Sequence, residues 1–298
     1  MTLFAGLSAF PLTPADPQGR VATDALGRLL ARIGAAGVDS VGLLGSTGIY
    51  AYLTRAERQR AVAAAAECLG GSVPLIVGVG ALRTDEAEAL ARDAARAGAD
   101  GLLLAPVSYT PLTDDEVFRH IRTVAAATGL PLCIYNNPST THFTFGAALL
   151  ERLAALPGVT AVKMPLPADG DCAADLSRLR ACLPDGFLIG YSGDWGCARA
   201  LLDGADCWFS VVGGLLPVPA LRLARAAQAG DAAETARIDR QFQPLWALFR
   251  EFGSLRVVYA AASLLALCDA APPLPVLPLS PPDMARVAAA LESLDSPA

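Results

Sequence analysis

The stretch TAVKMP, Thr160 to Pro165, holds the only lysine of a 298-residue chain that carries 23 basic residues. Every other cationic position is arginine. A guanidinium keeps its proton at any useful pH, whereas the pKa of a lysine falls readily when its amine is buried. An uncharged amine can attack a ketone and form a Schiff base. Arginine serves this chain wherever charge alone is needed, so Lys163 marks a place where a removable proton is needed. The competing reading is a lysine whose stem lies along a wall with its head in water. A position inside an apolar run argues against it.

Tyr135, in PLCIYNNP, supplies a second group. A phenol can pass protons between amine, carbinolamine and substrate oxygen, although alone it would read as a core tyrosine. Ser46 and Thr47 lie in GSTG, a turn whose N–H groups and hydroxyls suit a carboxylate. Such turns are common, and this one counts only with its neighbours. Ser192-Gly193-Asp194 and Gly213-Gly214 read as plain turns rather than a phosphate site.

These residues need a scaffold that gathers them. Eight short apolar runs, from LFAGLSAFPL to CWFSVVGG, are each followed by an amphipathic segment rich in Ala, Leu and Arg. Runs that are apolar on both faces suit a parallel sheet covered by helices. The helical segments open on Thr, carry acids in the first turn and end at Gly, as in TRAERQRAVAAAAECLGG. The alternation predicts an α/β fold, a (β/α)8 TIM barrel over residues 1–231. Three further helical segments without strand partners predict a C-terminal helical extension over residues 232–298, packed on the barrel. A doubly wound open sheet is the other arrangement, but no G-x-G-x-x-G follows the first strand. In a barrel, active groups stand at the C-terminal ends of strands. Ser46, Tyr135 and Lys163 all fall at such ends.

Composition removes other classes. A net charge of -6 without a basic run offers nothing to grip nucleic acid. No uncharged apolar run reaches the roughly 18–20 residues of a membrane helix. The N-terminus lacks a positive region and is broken by prolines, unlike a signal peptide. Seven scattered cysteines without a C-x-x-C pair read as reduced thiols of a cytoplasmic protein. His120 and His142, the two histidines, are too few to suggest a His-rich metal site.

The ordered set resembles the dihydrodipicolinate synthase/N-acetylneuraminate lyase family of class I, Schiff-base aldolases. It comprises GSTG after strand two, YNNP on strand five, a lysine on strand six and SGD on strand seven, and the likeness covers nearly the whole chain. The resemblance implies a lyase acting on pyruvate or a related 2-oxo acid, with an aldehyde as a candidate second substrate. It also implies no metal or organic cofactor, and a homo-oligomer, tetramer or dimer. By motif, Lys163 matches the Schiff-base lysine and Tyr135 the tyrosine that shuttles protons. Ser46 and Thr47 match the pair that holds the carboxylate, with Thr47 also relaying protons to the tyrosine. Phe209 falls where a backbone borders the pyruvyl group.

Three departures stand out. Ile49 replaces a usual glutamate. Thr140 stands where the synthases have an arginine that binds an acidic substrate group, and so becomes a candidate substrate contact. Ser108 stands where they have a tyrosine lent by a neighbouring subunit. The pyruvate-activating core is matched while the second-substrate side is more apolar, which implies an activity other than dihydrodipicolinate synthesis. Two alternatives stay open: a 2-oxo acid dehydratase or hydratase using the same iminium, and a non-catalytic 2-oxo acid binding protein.

Overall fold

In the computed structural model, which describes residues 2–295, eight parallel strands close into a barrel in sequence order, the first pairing with the last. They are β1 (Gly6–Ala9), β2 (Ser40–Leu43), β3 (Leu75–Gly78), β4 (Gly101–Leu104), β5 (Leu132–Tyr135), β6 (Val159–Pro165), β7 (Leu188–Ser192) and β8 (Cys207–Ser210). The helices are α1 (Thr23–Ala36), α2 (Arg55–Leu69), α3 (Thr84–Arg96), α4 (Asp114–Ala125), the single-turn α5 (Pro138–Thr141), α6 (Ala147–Ala154), α7 (Cys172–Cys182), α8 (Asp194–Leu202) and α9 (Pro217–Gln228). Three more, α10 (Ala232–Phe252), α11 (Ser254–Leu264) and α12 (Pro281–Asp295), follow the barrel. This is the expected TIM barrel with C-terminal helices. Residues 296–298 of the expected extension lie outside the described part.

The helix signals act as the sequence suggests. Thr54 caps α2 by accepting the Glu57 N–H, and Gly70 closes it in the left-handed conformation. Thr113 and Glu116 form a reciprocal capping box on α4. Strand register is pinned at the N-terminal face by a repeated device. Asp39, Asp100 and Asp206 each precede an even-numbered strand and accept the backbone N–H of Leu7, Leu75 and Ile189 on the strand before. A one-residue slip would reverse inward and outward side chains, so these pins fix what faces the axis.

Inside the barrel, Phe4, Phe10, Ile76, Leu103, Cys133, Tyr135, Ala161, Cys207 and Phe209 form one buried cluster. A larger cluster fills the space between strands and helices. The C-terminal helices pack on each other and on α8 and α9, around a stack of Phe242, Trp246 and Phe249. The Tyr259 hydroxyl on α11 donates to the Thr13 carbonyl at 3.1 Å, tying the extension to the loop after β1. The junction between α10 and α11 thereby reaches the C-terminal mouth of the barrel. Among the described residues no helix is long and apolar enough to cross a membrane.

Candidate active site

Tyr135 and Lys163 are register partners on β5 and β6, so their side chains leave the sheet on the same, inner face. The Asn136 N–H donates to the Lys163 carbonyl at 2.9 Å and holds the two strands together at this level. Lys163 is only 3 % exposed. Its Nζ lies 4.0 Å from the centre of the Phe10 ring, 4.2 Å from that of Tyr135 and 5.5 Å from that of Phe209. Among the described residues it makes no salt bridge. An amine thus enclosed by rings, with no carboxylate in salt-bridge contact, is costly to keep for packing alone.

Glycines make the room for those rings. A Cβ on Gly42 would stand 2.1 Å from the Phe10 ring, and one on Gly45 would stand 2.6 Å from it. A Cβ on Gly190 would meet the Phe209 ring at 2.6 Å. The two phenylalanines pack edge to face, with centroids 6.0 Å apart. Phe10 had no signal in the sequence beyond being apolar. Its partner glycines, one on β2 and one in the turn just after it, are the trace it leaves.

Ser46 and Thr47 follow β2 in a tight turn. Leu44 and Ile49, on either side, hold positive φ values of 58° and 54°. A bulky or β-branched residue pays for that conformation, and such strain gathers at functional sites. Ile49 N–H closes the turn onto the Ser46 carbonyl at 3.1 Å. The Ser46 hydroxyl lies 3.3 Å from the Tyr135 hydroxyl. Asn137 Nδ2 donates to the Tyr135 oxygen at 3.1 Å and to Ser46 Oγ at 3.4 Å. Asn137 Oδ1 in turn accepts from the Ser139 hydroxyl at 2.8 Å. The hydroxyl within bonding distance of the tyrosine is that of Ser46, where the expected relay named Thr47. Backbone direction in the turn decides which hydroxyl faces β5, and spacing alone does not show it. Asn137 is a third member that no signal in the sequence marks: YNNP is placed on strand five by its likeness to the family, and nothing in it names this contact.

Lys163, Tyr135, Ser46, Thr47 and Thr140 line one cavity of about 530 Å³ at the C-terminal end of the barrel. Phe209 lies beneath that cavity, fully buried in the barrel interior. Thr140 sits at the edge in α5, with its hydroxyl 3.4 Å from the Asn137 carbonyl. Ile49 lies outside the lining and Tyr50 within it. Asn137, Ser139 and Thr141 complete the α5 side, and Phe249, Gly253, Ser254 and Leu255 come from the C-terminal helices.

Asp194 is the one carboxylate of the lining and is 2 % exposed. It heads α8 and accepts hydrogen bonds from Trp208 Nε1 at 2.9 Å, Val211 N–H at 3.2 Å and Val212 N–H at 2.6 Å. Burial pushes its carboxyl up to about 6, against the opposing pull of those donors and of Lys163. SGD is thus more than a turn: its aspartate staples the segment after β8 to the barrel. Burial likewise pushes the Tyr50 phenol up to about 12, with Tyr135 adding to the rise and Arg58 opposing it. Among the described residues, no group of three or more His, Cys, Asp or Glu side chains is placed to hold a metal ion.

The arrangement brings a buried amine, a phenol held by two polar side chains, and a strained polar turn to one cavity. The sequence profile of the Dihydrodipicolinate synthetase family matches residues 3–294. A 4-hydroxy-tetrahydrodipicolinate synthase of Methylococcus capsulatus is 34% identical over 234 residues, 78% of this chain and 79% of that protein. One from Synechococcus elongatus is 34% identical over 272 residues, 90% of this chain and 89% of that one. The crystal structure of dihydrodipicolinate synthase from Agrobacterium tumefaciens superposes with a TM-score of 0.97 at 64% identity, covering 98% of each chain. Sequence profile, relatives and barrel agree: the chain belongs to the dihydrodipicolinate synthetase family.

Proposed function

We propose that the protein is a Schiff-base-forming lyase of the class I aldolase type, acting on pyruvate or a related 2-oxo acid. We further propose that its second substrate differs from that of the synthases it resembles. One observation supports this reading most: a buried amine in no salt bridge, paired in register with a tyrosine inside one cavity.

The Ser46–Thr47 turn receives the substrate carboxylate through N–H groups and hydroxyls. The unprotonated Lys163 amine attacks the C2 carbonyl and forms a carbinolamine. Tyr135 gives a proton to the departing hydroxyl, which leaves as water, and an iminium remains. The iminium draws electrons from C3. Loss of a C3 proton gives an enamine that can attack an aldehyde, and the reverse flow breaks a C3–C4 bond. Ser46 and Asn137 hold the phenol in place through these transfers. Dehydration or hydration at C4 of the same iminium uses the same groups. Seven free cysteines and the absence among the described residues of a membrane-crossing helix suit a cytoplasmic enzyme. A homo-oligomer is the assembly expected.

Enamine formation is read directly by deuterium exchange at the pyruvate methyl group, followed by NMR in heavy water. The wild-type chain should catalyse it, and Lys163→Ala should not. Binding of pyruvate without exchange would make the chain a 2-oxo acid binding protein instead.

A further inference from the structure

We infer that the acceptor handled at this site is an aldehyde bearing an aromatic, uncharged group, so that the chain joins pyruvate to an aryl aldehyde or releases one from it. The inference rests on the Schiff-base reading above and adds the class of the second substrate.

The charges of the cavity are already committed. Its lining includes two ionisable side chains that can carry opposite charge, Lys163 and Asp194, and among the described residues no arginine or histidine faces it. The Asp194 oxygens are bonded to the Trp208 indole and to the backbone of Val211 and Val212. Arg58, which lies behind Tyr50, donates to the carbonyls of Gly78 and Gly80 and is itself buried. A pyruvate carboxylate finds the Ser46–Thr47 turn. A second carboxylate, on the acceptor, would shed water and find no cation, which is costly.

Neutral hydroxyls and an amide, from Asn137, Ser139, Thr140, Thr141, Ser192 and Ser254, share the rest of the wall with a broad apolar part. Tyr50, Tyr52, Val107, Trp195, Phe249 and Leu255 line it. The Tyr50 ring rests 5.4 Å from the Arg58 guanidinium, and that group is locked by two carbonyls, so this part of the wall is rigid. Trp195 follows the stapled Asp194 and still shows 37 % of its surface, and Tyr52 shows 44 %. Large rings at the rim of a cavity mark a surface meant to be covered. At 530 Å³ the cavity holds much more than a three-carbon acid. An aryl group stacked on such rings gains from both burial and ring geometry.

The chemistry balances without a further reactant. The enamine C3 of Lys163-bound pyruvate forms a bond to the aldehyde carbon. The carbonyl electrons pass to oxygen, which takes a proton, and water releases a 4-hydroxy-4-aryl-2-oxobutanoate and the free amine. Loss of the C4 hydroxyl with a C3 proton, as water, gives the arylidene pyruvate. The reverse sequence consumes one water and yields pyruvate and the aldehyde.

The test compares benzaldehyde with succinic semialdehyde as acceptors, with pyruvate as donor, after pyruvate deuterium exchange has been measured on the same preparation. Benzaldehyde should exceed the carboxylated aldehyde in kcat/KM by roughly 10–100-fold, the scale on which an apolar pocket discriminates. Trp195→Ala should reduce the preference for benzaldehyde over acetaldehyde several-fold. Equal or better use of succinic semialdehyde overturns the inference and leaves the Schiff base standing. So does exchange with no reaction of benzaldehyde. No exchange at all removes both.

Discussion

Gly42→Ala places one methyl group where the barrel has no room for it. Its Cβ would stand 2.1, 2.3 and 2.4 Å from three atoms of the Phe10 ring. Ordinary contact requires the ring to retreat by more than about 1 Å. In the eight-stranded order β2 lies opposite β6, so retreat from Gly42 carries the ring across the axis towards Lys163, whose amine is 4.0 Å from its centre. Overpacking of a sealed interior costs about 1–3 kcal/mol, and a shift of this size at a reacting group costs on the order of 10²-fold in rate. Chemical denaturation and pyruvate deuterium exchange read the two effects. Adding Phe10→Leu to Gly42→Ala removes the clashing ring atoms and should recover most of the stability. Gly27→Ala, in α1 with nothing within 4 Å of the new methyl, should stabilise by about 0.5–1 kcal/mol. A Gly42→Ala protein with unchanged stability and exchange would refute the claim that Phe10 is wedged between β2 and the lysine.

Other consequences follow from the same geometry. Tyr135→Phe keeps the ring beside the lysine and removes the hydroxyl. Exchange should fall by about 10²–10⁴-fold, and a loss under threefold would assign the proton transfer elsewhere. Asn137→Ala removes a donor worth about 0.5–1.5 kcal/mol, so kcat should drop by about 2–12-fold. KM for pyruvate should stay near its original value; a rise in KM alone would make Asn137 a binding residue. Burial raises the Asp194 carboxyl from 3.8 to about 6. The stability tied to its proton is complete below about pH 4 and is lost as pH rises through 6, on the order of 3 kcal/mol. Asp194→Asn should lack that slope in urea unfolding measured from pH 4 to 7. Parallel curves for the two proteins would show that the carboxyl does not titrate there.

Much of this was legible in the sequence for physical reasons. Strand and helix alternated because each strand had to be apolar on both faces and each helix on one. Lys163 stood out because an otherwise lysine-free chain keeps one in an apolar run, and Tyr135 because it ends the preceding strand. What escaped depends on direction and distance. Whether Ser46 or Thr47 meets the phenol is set by the backbone of a turn with two left-handed residues, Leu44 and Ile49. Asn137 and Phe10 act through neighbours far away in the chain, and neither residue type announces such a partner. Trp195 lies beside Asp194 in a segment that reads as a turn and helix. It enters the cavity because Asp194 is bonded to the end of β8.

The proposed chemistry requires a covalent bond between Lys163 and the substrate carbonyl. Borohydride reduction in the presence of pyruvate, followed by peptide mass spectrometry, tests it directly. One reduced pyruvyl adduct is expected, on the peptide that contains Lys163 and dependent on pyruvate. Protein that turns over pyruvate yet carries no adduct, or carries it only on the N-terminal amine, would contradict it.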